Sequence, residues 1–271
     1  MPDVTRRAAL VGLGLAFAGP AHAISLIPSS KLLGEEWARF GVDGDPNYDV
    51  WADFLAAYLH PRPDAPTLVD YAGAIADGAD KALSVWVKQT QKVDPALLSN
   101  AAQRAWWINL YNAATIDLVL RYYPVETIRG IEGGFFNLGP WDEDILVVNG
   151  QRMSLGDIEH GILRPIWNDP RTHYAINCAS IGCPDLEAVP WRAADLEERL
   201  DAAAARYINH PRGAQVKDDE LIISSIYSWF SDDFGETDTN IIAHLRDYAQ
   251  PPLLAALEGR ARIDDYDYDW A

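Results

Sequence analysis

Apolar residues recur at the three- and four-residue spacing of a helix over Tyr48–His60, Leu68–Thr90, Asn100–Tyr123, Ser154–Ile162, Ala193–Ile208 and Thr239–Leu257. Pro251-Pro252 breaks the last of these. Ser154 followed by Asp157 has the form of a capping box and marks a helix start. Pro61-Arg62-Pro63-Asp64-Ala65-Pro66 reads as a loop joining two helical segments. Strand signals fall mostly in the second half. Asp144–Val148, then Asn149-Gly150, then Gln151–Met153 predicts a hairpin with a type I′ turn. Thr172–Asn177 alternates like a strand. Gln215–Lys217 and Leu221–Ser224 predict a second hairpin around Asp218-Asp219. The tail Tyr266–Trp270 predicts an edge strand or extended arm. With no repeat and no low-complexity linker, the pattern predicts one α+β domain: a helical N-terminal half packed on a small, mostly antiparallel sheet.

The first 23 residues break this pattern. Arg6 and Arg7 precede an apolar stretch, Ala8–Ala18, that is too short to span a bilayer. Ala21-His22-Ala23 has the form of a cleavage site. The segment reads as a secretory signal peptide, and Thr5-Arg6-Arg7 with Leu10 resembles the twin-arginine type. Cleavage would leave a single globular domain over residues 24–271 in the periplasm or outside the cell. No later apolar run reaches 18 residues, so no transmembrane segment is expected after cleavage.

Charge narrows the partners. The chain carries 40 acids against 22 bases, a net charge of −18. Nucleic acid is not an expected partner, because phosphate recognition needs a basic face. A small molecule, a peptide or another protein is. Two cysteines and six histidines limit nucleophile, base and metal chemistry to a few positions. No cofactor is implied.

Three stretches concentrate polar groups where packing alone does not ask for them. On the helix Asn100–Tyr123, Asn109 and Asn112 lie about 60° apart on one face. Arg104 and Arg121 lie roughly opposite and are expected to mark the solvent side, so both asparagines should point inward. They either bond backbone groups or, as a sharper reading of Asn112, orient an imidazole or an oxyanion. The second stretch is Glu159-His160, followed by Leu163-Arg164-Pro165. The third runs from His173 to Pro184. Strand alternation would put His173, Ala175 and Asn177 on one face, with Cys178 where the strand gives way to a loop. A thiol there is accessible, and loop N–H groups can stabilise a thiolate. Equally, Cys178 and Cys183 can close a short disulfide loop in an oxidising compartment. The aromatics of Ser225–Gly235 are expected in the core.

Several of these blocks together resemble one family. They are Trp107–Ala113, Glu159-His160 with Leu163-Arg164, Asp169-Pro170-Arg171 leading to His173, Cys178 with Cys183-Pro184, Trp229-Phe230, and Tyr268-Asp269-Trp270. They resemble the domain of unknown function 547 family, found in bacteria and in plant proteins, from about Asn100 to the C-terminus. The resemblance implies that the Asn pair, Glu159-His160, His173 and the Cys178/Cys183 loop are family features. Its occurrence in intracellular plant proteins shifts weight from a structural disulfide toward a reactive thiol.

Four functions fit these residues. The first is a cysteine-dependent hydrolase or acyl-transfer enzyme acting on a peptide or amide, with Cys178 as nucleophile, His160 or His173 as base, and Asn112 or Glu159 orienting the imidazole. The second is a non-catalytic periplasmic binding or scaffold protein with a Cys178–Cys183 disulfide. The third is a thiol redox protein using Cys183 as the resolving partner. A zinc site from His160, His173, Cys178 and Cys183 has suitable donors but no common spacing, so no metal is expected. The leader itself yields a test. Replacing both Arg6 and Arg7 by Lys should abolish export in cell fractionation, and undiminished export would refute the routing.

Overall fold

A computed structural model describes residues 30, 34–62, 65–131 and 139–271. The expected signal peptide lies outside the described residues. The centre of the fold is α4, Asn100–Tyr122, of whose 23 residues 19 are buried. The Ser99 side chain caps it by accepting the Ala102 N–H, and Pro124 disfavours its continuation. Trp106, Trp107, Ile108 and Tyr111 are fully packed along it. Each such side chain contributes about 1.5–3 kcal/mol relative to exposure.

A helix buried all round has no solvent stripe to read, and this corrects the expectation for Arg104. It is only 3% exposed. Its guanidinium pairs with Asp169 at 2.9 Å and donates to Thr172 Oγ1 at 2.9 Å. Arg121, in the last turn, is exposed as expected. Asn109 and Asn112 do point inward. Asn109 Nδ2 donates to the Trp191 carbonyl at 2.8 Å, while its Oδ1 accepts the Trp191 N–H at 3.0 Å. Asn112 Nδ2 donates to the Ala175 carbonyl at 2.9 Å, and its Oδ1 accepts the Asn177 N–H at 2.8 Å.

The N-terminal half wraps this helix. α1, Asp49–Tyr58, leads into β1, Leu59–Arg62, which pairs antiparallel with β2, Ala65–Val69. The prolines expected in a loop thus sit in a two-stranded hairpin, where the isolated edges tolerate a missing N–H. The expected helix Leu68–Thr90 is divided. Asp70 caps α2, Tyr71–Ala76, by accepting the Gly73 N–H. Gly78, at φ +75°, then turns the chain into α3, Ala79–Thr90, which packs on α4.

The second half supplies strands and short helices. β3, Leu146–Val148, and β4, Gln151–Met153, form the expected hairpin. Asn149 and Gly150 both have positive φ, as a type I′ turn requires. Ser154 and Asp157 bond reciprocally, each side chain accepting the other's backbone N–H. A π-helical stretch follows over Asp157–Leu163 and runs into α5, Arg164–Trp167. Next come α6, Thr172–Ala175, and α7, Leu196–Ile208. β5, Ala214–Lys217, and β6, Glu220–Ser224, make the second hairpin, with Asp218 and Asp219 at positive φ. α8, Ile226–Trp229, α9, Asp238–Tyr248, and α10, Pro251–Ala256, precede β7, Asp265–Asp267, which pairs parallel with β6. The class is α+β as expected. Among the described residues the strands form three small sheets of two, two and three strands.

One expected strand is a helical turn. Thr172–Ala175 forms α6, and the chain becomes extended only at Ile176. Asp169 drives the turn: its Oδ1 accepts the Arg171 N–H and its carbonyl accepts the Thr172 N–H. The next two N–H groups donate to the Pro170 and Arg171 carbonyls. All four residues of α6 are buried, so alternation carried no information about which face is which.

Because Asn112 holds two backbone groups of the segment 175–177, Asn112→Ala should strand both. Chemical denaturation should show a loss of about 1–3 kcal/mol with an unchanged m-value. An unmoved midpoint would refute the positioning role.

Candidate functional site

Residues from seven separate stretches of chain line one pocket. Glu159 and His160 come from the π-helical stretch, His173 from α6, and Cys178, Cys183 and Pro184 from the loop beyond it. Tyr111 reaches in from α4. The remaining wall is aromatic: Trp141, Trp229, Phe230, Tyr268 and Trp270. Arg129 completes the rim, its guanidinium 5.1 Å from the centre of the Trp270 ring. The cavity is about 170 Å³, comparable with the ~150 Å³ of an apolar cavity that holds one benzene ring. Of the residues expected to form a site, Glu159, His160, His173, Cys178 and Cys183 therefore share one pocket. Asn112 is not part of its lining. Both ends of its amide are taken by backbone, so it positions the His173–Cys178 segment from behind rather than orienting an imidazole.

The π-helical stretch explains how Glu159 and His160 both reach the pocket. The Arg164 N–H donates to the Glu159 carbonyl, five residues back. Pro165 follows immediately, and in a regular helix its ring would crowd the Gly161 carbonyl. The wider turn relieves that crowding, and such turns recur at functional sites.

The polar corner is organised around carboxylates. Glu159 is buried, and its Oε2 accepts the Tyr111 hydroxyl at 3.2 Å. Its Oε1 lies 3.9 Å from Nδ1 of both His160 and His173, beyond hydrogen-bond range. His173 Nε2 bonds Asp233 Oδ2 at 2.6 Å, and the same oxygen accepts Arg164 Nε at 2.5 Å. Burial opposes ionisation of Asp233, but the bonds from His173 and Arg164 outweigh it and hold its pKa at about 2. Arg164 also lies over the Phe230 ring at 4.8 Å, and Phe230 stacks on His173 at 4.4 Å. Burial lowers the His160 pKa, and the neighbouring Arg164 lowers it further against the pull of Glu159.

Cys178 and Cys183 form a disulfide, their Cα atoms 6.3 Å apart. Tyr268 packs its hydroxyl 3.2 Å from each sulfur and 2.9 Å from Ser180 Oγ. Burial pushes its phenol pKa up, so it stays a donor. The C-terminal tail is held there by backbone bonds from Gly182 N–H to the Asp269 carbonyl and from Ile181 N–H to that of Ala271. A Cβ at Gly182 would sit 2.9 Å from Asp269 backbone atoms, so the approach requires glycine.

Several site residues were not legible beforehand. Trp229 and Phe230, expected in the core, are half-buried walls. Arg129, Trp141 and Asp233 carried no spacing signal. The ten tryptophans and the aromatic tail were the only hint of an aromatic pocket. Among the described residues no cluster of His, Cys, Asp and Glu suits a metal ion, and no helix is long and apolar enough to cross a membrane.

Residues 95–208 match the model of a family described as a protein of unknown function, DUF547. The family resemblance drawn from the sequence motifs is borne out over that stretch, which contains α4, the π-helical stretch, α6 and the disulfide loop. The aromatic blocks at Trp229-Phe230 and Tyr268–Trp270 lie beyond it. No curated protein and no solved structure matches the chain.

Behind the pocket, His244 Nε2 meets the Tyr174 hydroxyl at 2.8 Å. Burial lowers the His244 pKa to about 4, although Asp247 and Asp169 favour its protonation. The unfolded chain, with a histidine pKa near 6.5, takes up the proton first. Stability should therefore fall as pH drops from about 6.5 to about 4, by about 2–3 kcal/mol from this group alone. Asp233 adds a further loss as pH falls from its free value of 3.8 toward 2. Denaturation midpoints across this range should show the first decline reduced in His244→Gln. An equal decline in both proteins would refute the assignment.

Proposed function

We propose that the chain is an exported binding protein whose working part is the aromatic pocket, with the Cys178–Cys183 disulfide as one wall. The observation that carries this reading is the bond between the two sulfurs at the pocket edge. A bonded cysteine is neither a thiolate nor a metal ligand. The rest of the pocket needs no thiol to bind a ligand: it offers ring faces, one buried carboxylate, two imidazoles and one guanidinium. Mostly apolar walls with a few converging polar groups are the usual make-up of a small-molecule site. The twin-arginine leader supports the same reading, since the periplasm sustains disulfides.

A second reading is favoured by one specific observation. Cys178, His160, His173 and Glu159 line the same pocket. On reduction Cys178 would stand among groups suited to acyl transfer on a peptide or amide.

One experiment separates the two. Protein recovered from the export compartment is treated with iodoacetamide without reductant and weighed intact. Binding with a structural disulfide predicts no alkylation. It also predicts that the Cys178→Ser, Cys183→Ser double variant keeps its near-ultraviolet aromatic dichroism while losing about 2 kcal/mol of stability, the entropic value of so short a loop. Rapid alkylation at Cys178, slowed by His160→Ala, would overturn this reading in favour of the thiol enzyme.

A further inference from the structure

Resting on the binding reading above, we propose that the pocket recognises a primary ammonium group carried on a small aromatic or apolar body. The argument begins with who can donate at the polar corner. An arginine side chain only donates. Arg164 Nη1 lies 3.3 Å from His160 Nδ1, so that nitrogen is the acceptor and neutral His160 keeps its proton on Nε2. An ionised carboxylate only accepts. The 2.6 Å bond from His173 Nε2 to ionised Asp233 therefore puts a proton on Nε2. Both Nδ1 atoms face Glu159 Oε1 at 3.9 Å. At 3.9 Å neither imidazole bonds that oxygen, His160 Nδ1 is itself an acceptor, and no described residue donates to Glu159 Oε1. Tyr111 serves only Oε2.

A buried carboxylate with one hydrogen bond is costly unless a donor completes it. Glu159 is 7% exposed and faces the cavity. A carboxylic acid ligand would bring a further negative charge to this corner. An alcohol brings one donor. An ammonium brings three donors and the opposite charge. The walls agree, because the rings of Trp141, Trp229, Tyr268 and Trp270 give the pocket an apolar lining that accepts an apolar body. The net charge of −18 raises the local concentration of cations around the molecule. Two groups have the opposite preference: Arg164, whose guanidinium is held by Asp233, and Arg129. Arg129 lies against the Trp270 ring at 5.1 Å.

The test uses the full mature protein and three probes with one ring and three head groups: benzylamine, benzyl alcohol and benzoate. Calorimetric titration near pH 8 keeps the amine charged and, with its pKa lowered by burial, His160 neutral. Benzylamine should bind at least ~10-fold more tightly than the alcohol, the scale of one charge-assisted hydrogen bond. Benzoate should bind no better than the alcohol. Glu159→Gln, which keeps an acceptor for Tyr111, should remove the amine preference and leave the alcohol unchanged. The ranking of the three probes on the unaltered protein decides the matter by itself if that variant fails to fold. Tighter binding of benzoate, lost in Arg129→Met, would overturn the ammonium inference and leave the pocket reading standing. So would equal binding of all three that disappears in Trp229→Ala. Binding of none of them, or binding indifferent to Trp229→Ala, would overturn both.

Discussion

Buried polar side chains on one helix hold the rest of this molecule in place. α4 is enclosed on all sides, so Gln103, Arg104, Asn109 and Asn112 cannot turn to solvent. Each must find partners within the protein or cost the fold about 1–3 kcal/mol. They find them in irregular chain. Gln103 donates to the carbonyls of Arg39 and Pro95. Arg104 ties down Asp169 and Thr172, Asn109 brackets Trp191, and Asn112 brackets the turn from Ala175 to Asn177. Loops that carry few regular backbone bonds of their own are thereby fixed to the most rigid element.

The pocket follows from that constraint. The segment held by Asn112 carries His173 at one end and Cys178 at the other, so one amide sets the placement of both. The disulfide loop in turn offers backbone to the tail, and the close contact at Gly182 brings Tyr268 and Trp270 over the cavity. Aromatic walls drawn from Trp141, Trp229 and Trp270 pack on one another as well as on the space between them.

Electrostatics gives the site its character. The chain is strongly acidic, and three buried or half-buried arginines are committed to carboxylates: Arg164 to Asp233, Arg104 and Arg171 to Asp169. Those pairs leave Asp233 and Asp169 fully ionised and neutral in effect. Glu159 has no such arginine. Its one hydrogen bond comes from the Tyr111 phenol, and it lines the pocket.

Local features of this protein were legible in its residues. The α4 helix, the two hairpins with their positive-φ turns and the Ser154–Asp157 capping box all depend on contacts within a few residues, and such contacts leave a period or a spacing behind. The motifs around Glu159-His160, His173 and Cys178 singled out residues that the fold brings into one pocket. What only the tertiary structure decided is how they are used. Arg104 sits in the interior because Asp169, 65 residues away, comes to meet it. The stretch after Asp169 is a helical turn because its N–H groups close on local carbonyls and no strand is there to pair with it. Cys178 bonds Cys183 rather than standing free, and Asp233 joins His173 across 60 residues. Partnerships of that length leave no periodicity in a chain, since either partner alone is an ordinary polar residue. They exist only once the hydrophobic core has brought the two ends together.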